Sequence, residues 1–200
     1  MNMRTTPFTV EFLGTPEAGK TTVISRMICT DFTEREKIVR IRESAEITPT
    51  FFEKGSIPAH FWMRLNTAKN ILEKKFSSNS ESIILIDRGI VDTIFWDYYF
   101  GKIGKLSPQK ITHANDFFKD LELMPDLVVF LTTTPKEAIT RRGGEGRIVT
   151  LEFVTNFNNA LSTFMKEVSV PVFHLDTTYL TKDEVYSIVS QEIIKKSTSS

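Results

Sequence analysis

The run GTPEAGKT at residues 14–21 constrains this chain more than any other stretch, because it fits G-x-x-x-x-G-K-[ST] at every fixed position. An apolar run at 8–13 precedes it, and a helical pattern opens at Lys20. The pattern works only where a strand delivers the loop and a helix N-terminus receives an anion, so the first fold unit is strand, tight bend, helix. The bend turns successive backbone N–H groups inward, toward phosphate oxygens. Lys20 would reach the β- and γ-phosphates, and the Thr21 hydroxyl would ligate magnesium. A glycine turn joining two core elements is the bland alternative, and the strand–helix context outweighs it. The expected ligand is a nucleoside triphosphate with magnesium. Its binding set is Gly14, Thr15, Pro16, Glu17, Ala18, Gly19, Lys20, Thr21 and Thr22.

The rest of the chain continues in the same rhythm. Short apolar runs at 37–42, 82–86, 127–131 and 172–175 alternate with longer helical patterns. That alternation predicts an α/β fold of three layers, a five-stranded parallel sheet covered by helices on both faces. Continuously apolar strands are those buried on both sides. Phe61, Leu65, Ala68, Leu72 and Phe76 recur at helical spacing, as do Ile90, Ile94, Phe95 and Tyr98, and both sets read as core. Residues 149–168 carry apolar side chains on two adjacent faces and predict a long, heavily packed helix. Ser107-Pro108 reads as a helix start, and Pro125 as a stop before the fourth strand. With 200 residues the chain makes a single domain with a core over about 8–195, and the tail after Ile194 is expected to fray.

Composition narrows the partners. With 25 basic and 25 acidic residues there is no broad basic surface for polymeric nucleic acid, whereas a small anionic ligand needs only a local cluster. No stretch has the length of a membrane span, and residues 1–7 hold no long apolar signal region. The lone Cys29 excludes an internal disulfide and is expected to be a buried small residue of the first helix. These features predict a soluble protein of a reducing cytoplasm, with a homodimer left open.

Chemistry-bearing residues fall after the strands. The third ends in Asp87-Arg88-Gly89, at the carboxyl edge where open α/β sheets bind ligands. Asp87 is suitably placed to hold the magnesium of a bound nucleotide. Arg88 stands where many P-loop ATPases carry a water-polarising Glu, and a cation there suits phosphoryl transfer over hydrolysis. The second strand delivers Arg42 and Glu43 to the same edge. Glu43 is a candidate base for an acceptor hydroxyl, or else an N-terminal helix carboxylate, and Arg42 could clamp an anionic acceptor. After the fourth strand Arg141, Arg142 and Arg147 surround Gly143, Gly144 and Gly146. A glycine-rich, cationic segment at 141–148 suits a lid closing over a triphosphate. The variable loop positions 15–18 hold no base, so these arginines are the available source of transition-state charge.

In this order the motifs resemble the thymidylate kinase and deoxynucleoside kinase superfamily of P-loop proteins, over residues 8 to about 176. The block MPDLVVFLTTTPKEAITRR is especially similar to the fourth strand and following helix of these kinases. The resemblance implies sheet order 2-3-1-4-5, Asp87 and Arg88 at the metal and phosphates, Glu43 near the acceptor, and Asp176 with Arg141 on the donor. It implies ATP-dependent, Mg-dependent phosphotransfer to a nucleoside or nucleoside monophosphate. The catalytic set is Lys20, Glu43, Asp87, Arg88, Arg142 and Arg147, and Arg42, Glu43 and Arg88 bind the acceptor. Thymidylate kinases usually continue Arg-Glu with Pro-Gly-Gly, and nucleoside kinases place Pro after this Glu. Here Ser44-Ala45-Glu46 follows, and Glu17 stands where many relatives have Gly, Ser or Arg. Arg-Glu-Ser-Ala and Asp-Arg-Gly are also similar to P-loop kinase-like proteins of nicotinamide-nucleotide metabolism, which widens the acceptor to other small metabolites. A regulatory GTPase is disfavoured, since no guanine-reading N-K-x-D occurs. A P-loop ATPase without an acceptor is the remaining alternative. The number of cations tilts the expectation toward a monophosphate.

Overall fold

The computed structural model describes residues 5–29, 38–53, 55–146 and 149–199. Five strands, β1 (Phe8–Gly14), β2 (Ile38–Ile41), β3 (Ile83–Asp87), β4 (Leu127–Thr132) and β5 (Val172–Asp176), form one sheet in the order β2-β3-β1-β4-β5. Every pairing is parallel, with Phe12 beside Asp87 in β3 and Gly14 beside Leu131 in β4. The helices are α1 (Lys20–Cys29), α2 (Ile57–Ser77), α3 (Ile90–Lys102), α4 (Pro108–Asp120), α5 (Pro135–Arg142), α6 (Leu151–Met165) and α7 (Lys182–Ser199), with a 3-10 turn at Ser44–Ile47. This is the expected three-layer arrangement. No helix among the described residues is long and apolar enough to cross a membrane.

Strand alternation sorts the core. Val10 and Phe12 of β1 point to one face, where they meet Val23, Ile24 and Met27 of α1 and Val189 and Ile193 of α7. Leu13 points to the other, among Phe95 of α3 and Phe157, Leu161 and Phe164 of α6. Side-chain hydroxyls start several helices: Ser107 accepts from Lys110 N–H ahead of Pro108, Thr134 from Glu137 N–H ahead of Pro135, and Thr150 from Phe153 N–H.

Several expectations meet a different arrangement. The buried face of α2 is Ala59, His60, Arg64, Thr67, Ala68 and Ile71, whereas Leu65 and Phe76 are 61% and 80% exposed. The apolar spacing located the helix and its Ala68–Leu72 side, which packs in the core, but Leu65 and Phe76 fall outside the buried face because α2 also turns polar side chains toward a pocket. Cys29 is exposed, at the last turn of α1. β5 alternates exposed with half-buried residues, since it lies at the sheet edge. Helix α6 is shorter than the 149–168 expected, and α7 continues past Ile194 to Ser199.

Candidate active site

The phosphate loop is built by close backbone approach. A Cβ on Gly14 would lie 1.8 Å from the Leu131 carbonyl oxygen, so only glycine lets β1 pass β4 there. Thr15 N–H donates to that same carbonyl at 3.0 Å, and the Thr15 hydroxyl accepts from Thr133 N–H at 2.8 Å, pinning the loop to β4. Glu17 and Gly19 take left-handed φ values of 57° and 93°. Lys20 is 6% exposed, and its Nζ donates to the carbonyls of Gly14 (3.1 Å) and Thr15 (2.7 Å). Burial, with help from the Arg88 charge, lowers its pKa to about 7.

Thr21 donates its hydroxyl to Asp87 Oδ2 at 3.0 Å across the end of the sheet. Asp87 is fully buried, Arg40 Nη2 lies 3.4 Å from the same oxygen, and Oδ1 has no hydrogen-bond partner among the described residues. A spare buried carboxylate oxygen beside a hydroxyl is an oxygen donor set that fits magnesium.

Next to it, Arg88 has a left-handed φ of 58°, and its backbone N–H donates to Phe12 O at 3.2 Å. Its Nη1 donates to Asp92 Oδ1 at 3.0 Å, and its Nε lies 3.0 Å from Glu43 Oε1. Burial opposes the Arg88 charge, but Asp92 and Glu43 outweigh it and hold the guanidinium firmly cationic. Burial also raises the Glu43 carboxyl above its usual range, against the pull of Arg88.

Three residues here escaped the sequence reading. Glu11 sits in the centre of β1 with no exposure and accepts from Val91 N–H (3.0 Å) and Asp92 N–H (2.7 Å), capping the start of α3. Burial pushes its pKa up to about 7. A Cβ on Gly89 would lie 2.6 Å from Glu11 Oε2, so the glycine after Asp-Arg makes room for this cap. The signal was legible: an acid in the middle of a central, otherwise apolar strand needs a buried partner. Asp92 carried a weaker signal, at helical spacing four residues after Arg88. Arg40 rather than Arg42 reaches Asp87; Arg42 is exposed, lies beyond the end of β2 and lines none of the clefts described below.

Around the loop, Arg141 donates to Glu17 O (3.2 Å) and Thr177 O (2.6 Å) and pairs with Glu137 at 2.9 Å, tying α5 to the phosphate loop and to the turn after β5. Arg142 Nη1 stands 3.6 Å from Glu17 Oε1. Arg147 lies outside the described residues. Asp176 accepts from Thr178 N–H (2.9 Å) and the Thr178 hydroxyl (2.5 Å), which chiefly lower its pKa. It shapes the turn that holds Arg141 and lines none of the clefts described below.

Three adjoining clefts follow. The first, of about 570 Å³, runs along Gly19, Thr22, Arg141, Tyr179, Leu180 and Lys182. The second, of about 360 Å³, holds Lys20, Thr21, Glu43, Arg88 and Arg142. The third, of about 220 Å³, is walled by Met63, Trp96, Phe153 and Phe157 and shares Pro16, Glu43 and Arg88 with the second. Together they form one path, with the phosphate loop at its centre and the Glu43–Arg88 pair where it enters the aromatic pocket.

With its strand-fed phosphate loop at the edge of a 2-3-1-4-5 parallel sheet, the chain has the fold of solved P-loop nucleoside and nucleotide kinases. A deoxyadenosine kinase from M. mycoides with products dCMP and a flexible dCDP bound matches with a TM-score of 0.71 at 19% identity, covering 94% of this chain and 100% of that one. The same enzyme with bound dATP matches at 0.67 and 22%, covering 93% and 98%. Thymidylate kinase from Candida albicans matches at 0.65 and 18%, covering 96% and 94%. No protein-family model matches the sequence. No curated protein matches it in sequence.

Proposed function

We propose that this chain is an ATP-dependent kinase that transfers the γ-phosphate to a hydroxyl of a nucleoside. The observation that carries the proposal is the Glu43–Arg88 pair, 3.0 Å apart, at the junction of the phosphate cleft and the aromatic pocket. An acceptor in that pocket presents its hydroxyl to both residues. Glu43, a stronger base for being partly desolvated, takes the proton as the hydroxyl oxygen bonds to the γ-phosphorus and the bond to the β-phosphate oxygen breaks. Arg88 and Lys20 stabilise charge on the moving phosphoryl group and on departing ADP. Magnesium, held through Thr21 and Asp87, would neutralise phosphate charge. Arg142 and Arg147 belong to the same reading as lid residues, and the aromatic walls would receive the base.

The charges around the acceptor favour a nucleoside over a monophosphate. Glu43 and Asp92 offset Arg88 in the aromatic pocket, and Arg42 points elsewhere, so an entering phosphate would meet two carboxylates. The neighbouring structures lend support, since the M. mycoides protein is a deoxyadenosine kinase with dCMP as a product. An ADP-release assay with ATP, Mg2+ and a panel of nucleosides and monophosphates tests the proposal. Nucleoside-dependent turnover is expected. Turnover with monophosphates alone, or release of ADP independent of any acceptor, would replace it with a nucleotide kinase or an ATPase.

A further inference from the structure

One polar group on the aromatic pocket takes no part in the chemistry above. His60, on α2, is 3% exposed and lines the pocket, and its Nε2 lies 2.7 Å from Asp97 Oδ1 on α3. The other Asp97 oxygen accepts from Arg64, one turn along α2 from His60. Phe100 packs edge-on against the imidazole at 5.1 Å, fixing the ring plane. Among the nearby hydroxyls, Thr67 pairs with Ser44 at 2.7 Å, and Thr93 donates to Gly89 O at 2.8 Å.

The tautomer follows from the charges. An ionised carboxylate only accepts, so His60 Nε2 carries the hydrogen. With Nε2 donating to Asp97, a neutral imidazole carries its lone pair on Nδ1. Nδ1 has no hydrogen-bond partner among the described residues.

Resting on the nucleoside reading, we infer that His60, locked by Asp97 and Arg64, makes the pocket selective for bases with an amino group on the inserted edge, adenine- or cytosine-like, over their keto counterparts. An exocyclic amino group donates to Nδ1. A carbonyl at the same place sets oxygen lone pairs against the nitrogen lone pair and leaves both desolvated.

The test is a comparison of kcat/KM within two pairs, adenosine against inosine and cytidine against uridine, that exchange the amino group for a carbonyl and turn the adjacent ring nitrogen from acceptor to N–H donor, each as ribo- and deoxyribonucleoside. The amino member of at least one pair is expected to lead by about tenfold or more. In His60→Gln the amide can rotate to offer either oxygen or NH2, so the ratio should fall to within about threefold. A wild-type ratio below tenfold in both pairs, or a reversed one, overturns the inference and leaves the kinase standing. An unchanged ratio in folded His60→Gln also overturns it, and if that variant does not fold the wild-type ratios decide. No turnover with any of these nucleosides overturns the nucleoside reading itself, and the inference with it.

Discussion

At the scale of single residues, burial sets the chemistry. Lys20 is enclosed by its own loop, and two backbone carbonyls hold its ammonium where a triphosphate would lie. Lys20→Ala removes that charge without opening a large cavity, so circular dichroism should report a folded protein and the ADP-release assay a loss of transfer; folded protein with near wild-type turnover would refute the phosphate-loop role. Glu43 and Arg42, neighbours in sequence, separate in space: one faces Arg88 in the cleft and the other is exposed. Glu43→Gln should therefore cut kcat by roughly a hundredfold, as expected for loss of a general base. Arg42→Ala should change kcat/KM less than threefold. A strong rise in acceptor KM in Arg42→Ala would return the site to an anionic acceptor.

At the scale of elements, the Asp-Arg edge depends on the strand beside it. Glu11 of β1 grips the first turn of α3, which carries Asp92, and Asp92 in turn holds Arg88. Because folding raises the Glu11 pKa from 4.5 to about 7, the folded chain binds more protons than the unfolded chain between those values. Stability from this group is therefore present at pH 4.5 and is lost as pH rises to 7, by roughly 3 kcal/mol. Glu11→Gln does not titrate, so urea unfolding at pH 5 and pH 8 should show wild type losing about that much relative to the variant. A pH-independent difference between the two would mean that Glu11 ionises normally. The sequence revealed β1 and α3 but not this cap, because periodicity reports which residues are apolar and not which polar group a helix start has recruited. Helix α2 was legible only in part for a related reason. Its apolar spacing pointed to Leu65 and Phe76, while the inward face carries His60, Arg64 and Thr67 toward a pocket that only the assembled helices create.

At the scale of the molecule, the fold was the most legible part, because the loop pattern and the strand–helix rhythm demanded a parallel sheet covered by helices, and the resemblance implied its order. The loop residues that gather with Asp87 and Arg88 were also legible, since a phosphate-loop pattern has fixed spacing along one strand–loop–helix unit. The aromatic pocket was not, because it draws on residues from Pro16 to Phe157 that share no sequence pattern. Glu17 had no evident role until the fold brought α5 over the loop, where its carboxylate stands 3.6 Å from Arg142 and its carbonyl accepts from Arg141. That contact links the phosphate loop to the segment after α5, which turns through left-handed φ values at Gly143 (85°) and Gly144 (123°). The exposed Glu17–Arg142 pair is worth under about 1 kcal/mol, so a triphosphate can draw Arg142 away from it. If Arg142 then meets the transferring phosphoryl group, Arg142→Ala should slow transfer by about a hundredfold or more, in the range of arginine fingers. Limited proteolysis near Gly144 should slow when a non-hydrolysable ATP analogue and acceptor are both bound. Unchanged cleavage in that ternary complex, together with near wild-type kcat in Arg142→Ala, would show that the segment is an ordinary exposed turn and that transition-state charge is met by Lys20 and Arg88 alone.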